Sequence, residues 1–114
     1  MTDQGFWEKC GFYEAWWAGS ASMKDYYPDG TPLETDRSSN PIYPEMTLDN
    51  LFKWAVPKLA YCRIERIEAP YPLVLEGYTG RYAWRATVTG FGKIQDWCDP
   101  DPAQALKKAI EGVL

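Results

Sequence analysis

The stretch Tyr82-Ala83-Trp84-Arg85-Ala86-Thr87-Val88-Thr89 constrains this chain more than any other. Tyr82, Trp84, Ala86 and Val88 fall on one side of a period-two repeat, and Ala83, Arg85, Thr87 and Thr89 fall on the other. Such alternation is the signature of a half-buried strand. Gly77 and Gly80 precede it and Gly90 and Gly92 follow, supplying the positive φ that chain reversals need. The pattern predicts a central strand with Trp84 buried between a small sheet and the helices packed on it.

Two helices are legible around that strand. Thr47 is placed to cap the first, and Leu48, Leu51, Phe52, Ala55, Val56 and Leu59 form its apolar stripe, with Lys53 and Lys58 outward. Pro57 removes a backbone donor late in this helix, which predicts a kink or a tightened last turn. The second helix opens at Asp99-Pro100-Asp101-Pro102, with Asp101 as cap and Pro102 at the first helical position. Ala105, Leu106, Ala109, Ile110 and Val113 form its buried face, and Lys107 and Lys108 look outward. Between the helices, Ala60 to Ala69 reads as a strand with a bulge or as two short pieces, because Ile64 and Ile67 lie three apart; Leu73 to Leu75 is a second candidate strand, and Ile94 to Cys98 a further one with Trp97 facing inward. One apolar stripe per helix and one aromatic sheet face fit an α+β fold. The expected architecture is a two-layer sandwich of helix, small antiparallel sheet and helix, carrying an irregular aromatic N-terminal arm.

That division puts a compact α-β-β(-β)-α domain at residues 47–114 and the arm at residues 1–46. The arm begins with a short helix over Gln4 to Cys10 and an extended piece over Phe12 to Trp17. From Gly19 to Glu45, Pro28, Pro32, Pro41 and Pro44, the Asp29-Gly30 pair and the polar run Asp36 to Asn40 argue against regular structure. The arm is also where the acidity lies. Residues 1–46 hold three bases against eight acids, while residues 47–114 hold nine against eight.

Residues 47–114 resemble a group of small proteins common in phages and prophages, among them the phage ABA-sandwich domain. The similarity lies in Leu51-Phe52-Lys53-Trp54-Ala55-Val56-Pro57-Lys58-Leu59, in the strand carrying Trp84, and in Asp-Pro-Ala-Gln-Ala-Leu-Lys-Lys-Ala-Ile over Asp101 to Ile110. The resemblance implies a phage-type accessory protein and assigns no catalytic residues.

Composition excludes several chemistries. A chain with no histidine offers neither a Ser-His-Asp nor a Cys-His mechanism. Cys10, Cys62 and Cys98 lie far apart, without the close spacing of a zinc site, and read as unpaired thiols in a reducing compartment. Glu65 and Glu68 alternate with Arg63 and Arg66 as a solvated strand surface would, while Asp99 and Asp101 serve turn and cap geometry. Gly90-Phe91-Gly92-Lys93 follows a strand without opening a helix, so it reads as a hairpin turn and not a phosphate loop. The expectation is no enzyme, no cofactor and no metal site. The net charge of −4 disfavours nucleic acid, and no apolar run approaches the roughly 20 residues of a membrane helix. Without a basic or apolar leader, the chain reads as cytoplasmic, within the host cell.

The aromatic residues of the arm carry the functional suggestion. Trp7, Phe12, Tyr13, Trp16, Trp17, Tyr26 and Tyr27 are too many large rings to leave in water. The simpler reading makes most of them a second small core. The sharper one makes Trp16, Trp17, Tyr26 and Tyr27, together with Phe91 on its turn, a partner-binding surface. Glu8, Glu14, Asp25 and Asp29 interleave with the rings and favour a protein partner with a basic surface, as for an inhibitor of a host defence or regulatory complex. The alternative is a small-ligand or carbohydrate module using the Trp- and Tyr-rich face.

Overall fold

Strand β4, Tyr82–Gly90, lies in the middle of a three-stranded antiparallel sheet, between β3, Tyr61–Glu68, and β5, Lys93–Asp99. This is the computed structural model of the chain; it describes residues 1–16 and 22–114. By contact density the chain divides into two units, Met1–Glu45 and Met46–Leu114, the second containing this sheet. Pairing on both sides of β4 is unbroken, from Tyr61 opposite Thr89 to Glu68 opposite Tyr82, and from Trp84 opposite Asp99 to Gly90 opposite Lys93. Phe91 and Gly92 join β4 to β5 with φ of 51° and 76°. Two successive positive φ values make a type I′ turn, whose twist matches that of the strands it connects.

Helix α4, Pro102–Glu111, covers one face of β4 and β5 and buries Ala103, Ala105, Leu106, Ala109 and Ile110. Its start is the predicted one: the Asp101 carboxylate accepts from the Ala103 amide at 3.1 Å, and Pro102 needs no partner for a missing proton. The other helical segment begins as α2, Leu48–Asn50, capped by Thr47 Oγ1 accepting from the Asn50 amide at 3.2 Å. It then widens into a π turn over Leu51–Ala55 and tightens into a 3-10 turn over Val56–Lys58, where Pro57 sits. The tightening was expected and the widening was not. A π turn has more residues per revolution, so the stripe loses phase. Leu51 and Ala55 stay buried while Phe52 is 48% exposed.

Five other expectations change. β3 is a single strand without the expected bulge or break, since each of its residues has one partner on β4 and Ile64 and Ile67 simply take opposite faces. Trp84 shares the covered face with Ala86 and Val88 yet is only half-buried, and Tyr82 beyond it is exposed. The reason is register, because β4–β5 pairing ends at Trp84 and leaves Tyr82 without a β5 neighbour; the Arg66 guanidinium lies over its ring at 4.1 Å instead. Trp97 is on the covered face but at the sheet's edge, and it is 48% exposed. Leu73 to Leu75 belong to a short helix, α3, Tyr71–Leu75, with Pro72 in its first turn. Gly77, at φ 94°, ends α3: its amide donates to Val74 O at 3.0 Å and the Tyr78 amide to Leu73 O at 3.0 Å. Lys107 is largely covered and pairs with Glu111 at 3.4 Å.

The first unit repeats that device. Helix α1, Asp3–Lys9, is capped by Thr2 and ends where Gly11 takes φ 108°. The Phe12 amide donates to Trp7 O at 3.1 Å, and the two rings meet with centroids 5.3 Å apart, the apolar contact that accompanies such an ending. Gly11 therefore turns the chain out of α1 and into β1, Tyr13–Trp16, which pairs with β2, Met23–Tyr26. That second strand falls inside the stretch expected to be irregular. The remainder, to Glu45, is built of turns and single bridges, Tyr26 with Pro32 and Thr35 with Pro41. Phe6, Trp7, Cys10, Phe12 and Leu33 form the buried core of this unit.

Leu106→Ala in the second unit is expected to cost roughly 3 kcal/mol in urea denaturation, because a buried leucine leaves a cavity. Ile94→Thr, at a side chain 74% exposed, is expected to stay within about 0.5 kcal/mol of the parent. No disulfide joins Cys10, Cys62 or Cys98, so thiol titration in denaturant without reductant is expected to count three.

Candidate functional site

The hairpin of β1 and β2 sorts its side chains by register. Tyr13 faces Tyr26 and Ala15 faces Lys24 on one side; Glu14 faces Asp25 and Trp16 faces Met23 on the other. On the first side the Tyr13 and Tyr26 rings stack at 5.3 Å. The second side runs from the core outward. Phe12 and Tyr27, with centroids 5.2 Å apart, pack at its inner end beside Tyr43. The two carboxylates come next, and Trp16, 67% exposed, stands with the exposed Met23 at the outer end.

Two acids directly opposite each other on neighbouring strands repel, an arrangement that costs stability. Its electrostatic imprint is plain. Partial burial raises the Asp25 carboxyl above the ordinary aspartate range, and the charges of Glu14 and Glu8 add to that rise. Burial also pushes the Tyr43 hydroxyl up to about 12, helped by Asp25, Glu8 and Glu14. Glu8, near the end of α1, thus adds its charge to that of the pair, and all three carboxylates act on one phenol. A groove of about 450 Å³ lies in the same unit, walled by Tyr27, Pro32, Ile42, Tyr43 and Pro44 and rimmed by Glu34 and Glu45. No lysine or arginine lines it.

Of the five residues expected to bind a partner, the structure brings few together. Trp16 is exposed, as a contact residue must be. Tyr26 lies on the opposite side of the hairpin, stacked on Tyr13. Tyr27 packs on Phe12 and is part of the aromatic cluster's wall. Phe91, 59% exposed, belongs to the second unit, and Trp17 lies outside the described residues. Met23 did not stand out in the sequence, and Tyr43 read only as a ring pinning the arm. Met23 needed the hairpin register to appear beside Trp16, and Tyr43 needed the tertiary fold.

Glu65 and Asp99 have structural partners. Glu65 accepts from Arg85 Nε at 2.8 Å and from Arg63 at 3.0 Å, and the hydrogen bond from Arg85 holds its carboxyl below the usual range. Asp99 accepts from the Asp101 amide at 2.9 Å. Among the described residues, no three His, Cys, Asp or Glu side chains gather closely enough to hold a metal ion, and no helix is long and apolar enough to cross a membrane.

Comparison with protein-family models, curated proteins and solved structures finds no match. The geometry of the hairpin therefore carries the functional argument by itself.

The folded state holds the Asp25 proton more tightly than the unfolded chain does, so ionised Asp25 subtracts from stability. The deficit is absent below the ordinary aspartate range, grows as pH rises and is complete above the raised value. Asp25→Asn is expected to raise the melting temperature at pH 7 by a few degrees, and scanning calorimetry in acid should find the gain gone.

Proposed function

We propose that this is a noncatalytic accessory protein, of the phage type that the second unit resembles, which binds a basic protein surface through the acidic and aromatic side of its β1–β2 hairpin. The carrying observation is the Glu14 and Asp25 pair, placed opposite each other beside exposed Trp16. A cross-strand pair that lowers stability persists where it serves something else, and a partner's lysine or arginine between the carboxylates would relieve the repulsion. Trp16 adds a flat face for the same cation and the contact area typical of interface hot spots. Inhibition of a host defence or regulatory complex would follow by occlusion of its basic surface. Three cysteines without a disulfide among them are in keeping with a reducing cytoplasm.

The test is capture of partners from host lysate, followed by titration calorimetry of the captured complex. Glu14→Gln with Asp25→Asn, or Trp16→Ser alone, is expected to weaken binding at least tenfold, about 1.4 kcal/mol. Asp36→Asn should leave it unchanged, and affinity should fall as salt rises. A complex indifferent to salt and to these substitutions would overturn the proposal. The groove walled by Tyr27 and Tyr43 favours a second reading, a carbohydrate or small-ligand site; salt-independent binding of an oligosaccharide, lost in Tyr43→Ala, would establish it.

A further inference from the structure

The outer edge of β5 differs from the other edge of its sheet in charge balance. β3 carries two bases and two acids, Arg63, Arg66, Glu65 and Glu68, whereas β5 sets Lys93 at its start against Asp96 and Asp99. β5 has no proline, and its register with β4 is continuous, without a bulge. Type I′ geometry makes Gly90 and Lys93 a hydrogen-bonded pair, so alternation leaves the backbone groups of Ile94, Asp96 and Cys98 pointing away from β4. Among the described residues, no strand, bridge or loop amide pairs with that edge.

Alongside it runs a groove of about 370 Å³, with Pro70, Pro72, Leu73 and Glu76 on the α3 side and Asp96, Trp97, Cys98 and Asp99 on the β5 side. Its walls are apolar and aromatic. Its charged lining is Glu76, Asp96 and Asp99, with no base to balance them. One Asp99 oxygen is held by the Asp101 amide, which leaves the other to face an incoming group.

We infer that this edge is a docking site for an extended basic peptide segment, which adds to the sheet as a fourth strand between β5 and α3. The backbone of the segment pairs with Asp96 and Cys98, as in strand addition generally. Its side chains are selected by charge. Asp96 and Asp99 are three apart and so point to opposite faces, which calls for basic residues three apart in the partner, with a flat or apolar residue opposite Trp97. A second copy of β5 fits worse, because full overlap of Lys93–Asp99 with its own copy centres the two-fold axis on Asp96 and sets two carboxylates face to face. The inference rests on other residues than the hairpin surface and stands or falls separately.

The probe is a blocked peptide, acetyl-Thr-Lys-Val-Val-Lys-Thr-amide, added to the full chain at about 1 mM and followed by amide NMR. The amides of Ile94, Asp96 and Cys98 are expected to shift and to exchange with solvent several-fold more slowly. Those of Gln95 and Trp97, already bonded to β4, should change little. Asp96→Asn should weaken the effect several-fold. A peptide with Glu in place of Lys, or one methylated on alternate backbone nitrogens, should produce no effect. Unchanged Ile94, Asp96 and Cys98 amides would overturn the inference, whatever happens at the hairpin. So would equal binding of the methylated peptide, which would reduce the contact to side chains. Protection of these amides by raised protein concentration alone would name a second copy as the occupant and overturn the basic peptide.

Discussion

Pairing of β4 on both of its edges is the constraint from which the second unit follows. A strand in the middle of a sheet has its backbone groups satisfied by its neighbours, which moves the unsatisfied ones outward to β3 and β5. Helix α4 then covers a single face, because a three-stranded sheet offers room for little more. A Cβ on Gly112 would come within 2.6 Å of Gln95 Cγ, so the end of α4 lies close over that face. The opposite face buries Ala83 at one end and carries the Arg63, Glu65 and Arg85 ion pairs along its middle. Such exposed pairs contribute little to stability. Solubility of the open face is their evident effect.

In the first unit the organising element is the ring of Phe12. It touches Trp7, Tyr27 and Tyr43, and its position is set by the helix ending at Gly11. Trp7 is fully buried and satisfies its indole proton on Pro44 O at 3.0 Å, so the cluster also ties the far end of the unit to its first helix. An aromatic core this small leaves no space for the acids that alternate with it. Glu14 and Asp25 are displaced to the rim, where register sets them together.

What was legible in the sequence divides along physical lines. Local signals were reliable: the Asp101 and Thr47 caps, the late tightening at Pro57 and the turn at Phe91 and Gly92 each depend on a few neighbouring residues. The α+β fold follows from them. Burial was less legible. Alternation gave the correct face for Trp84 and could not say where β5 would stop covering it. Leu73 to Leu75 look like a strand until Pro70 and Pro72 are seen to start a helix, and the π turn that exposes Phe52 has no local signature. In the candidate site, the acids were visible as a composition and Trp16 as an excess ring. Their grouping depends on hairpin register, which two four-residue strands do not fix by their own pattern.

The electrostatic character of both candidate surfaces has a common consequence. With no histidine in the chain, no side chain of ordinary pKa changes charge between about pH 5 and 8. Burial moves the Cys62 and Cys98 thiols further from that window, and Tyr43 is displaced upward to about 12. Neither the acidic hairpin side nor the β5 groove carries an imidazole, the side chain that most readily switches charge near neutral pH. Recognition by either is set by ionic strength and by the partner's own charge, so any control over binding has to reside in the partner or in access to these surfaces.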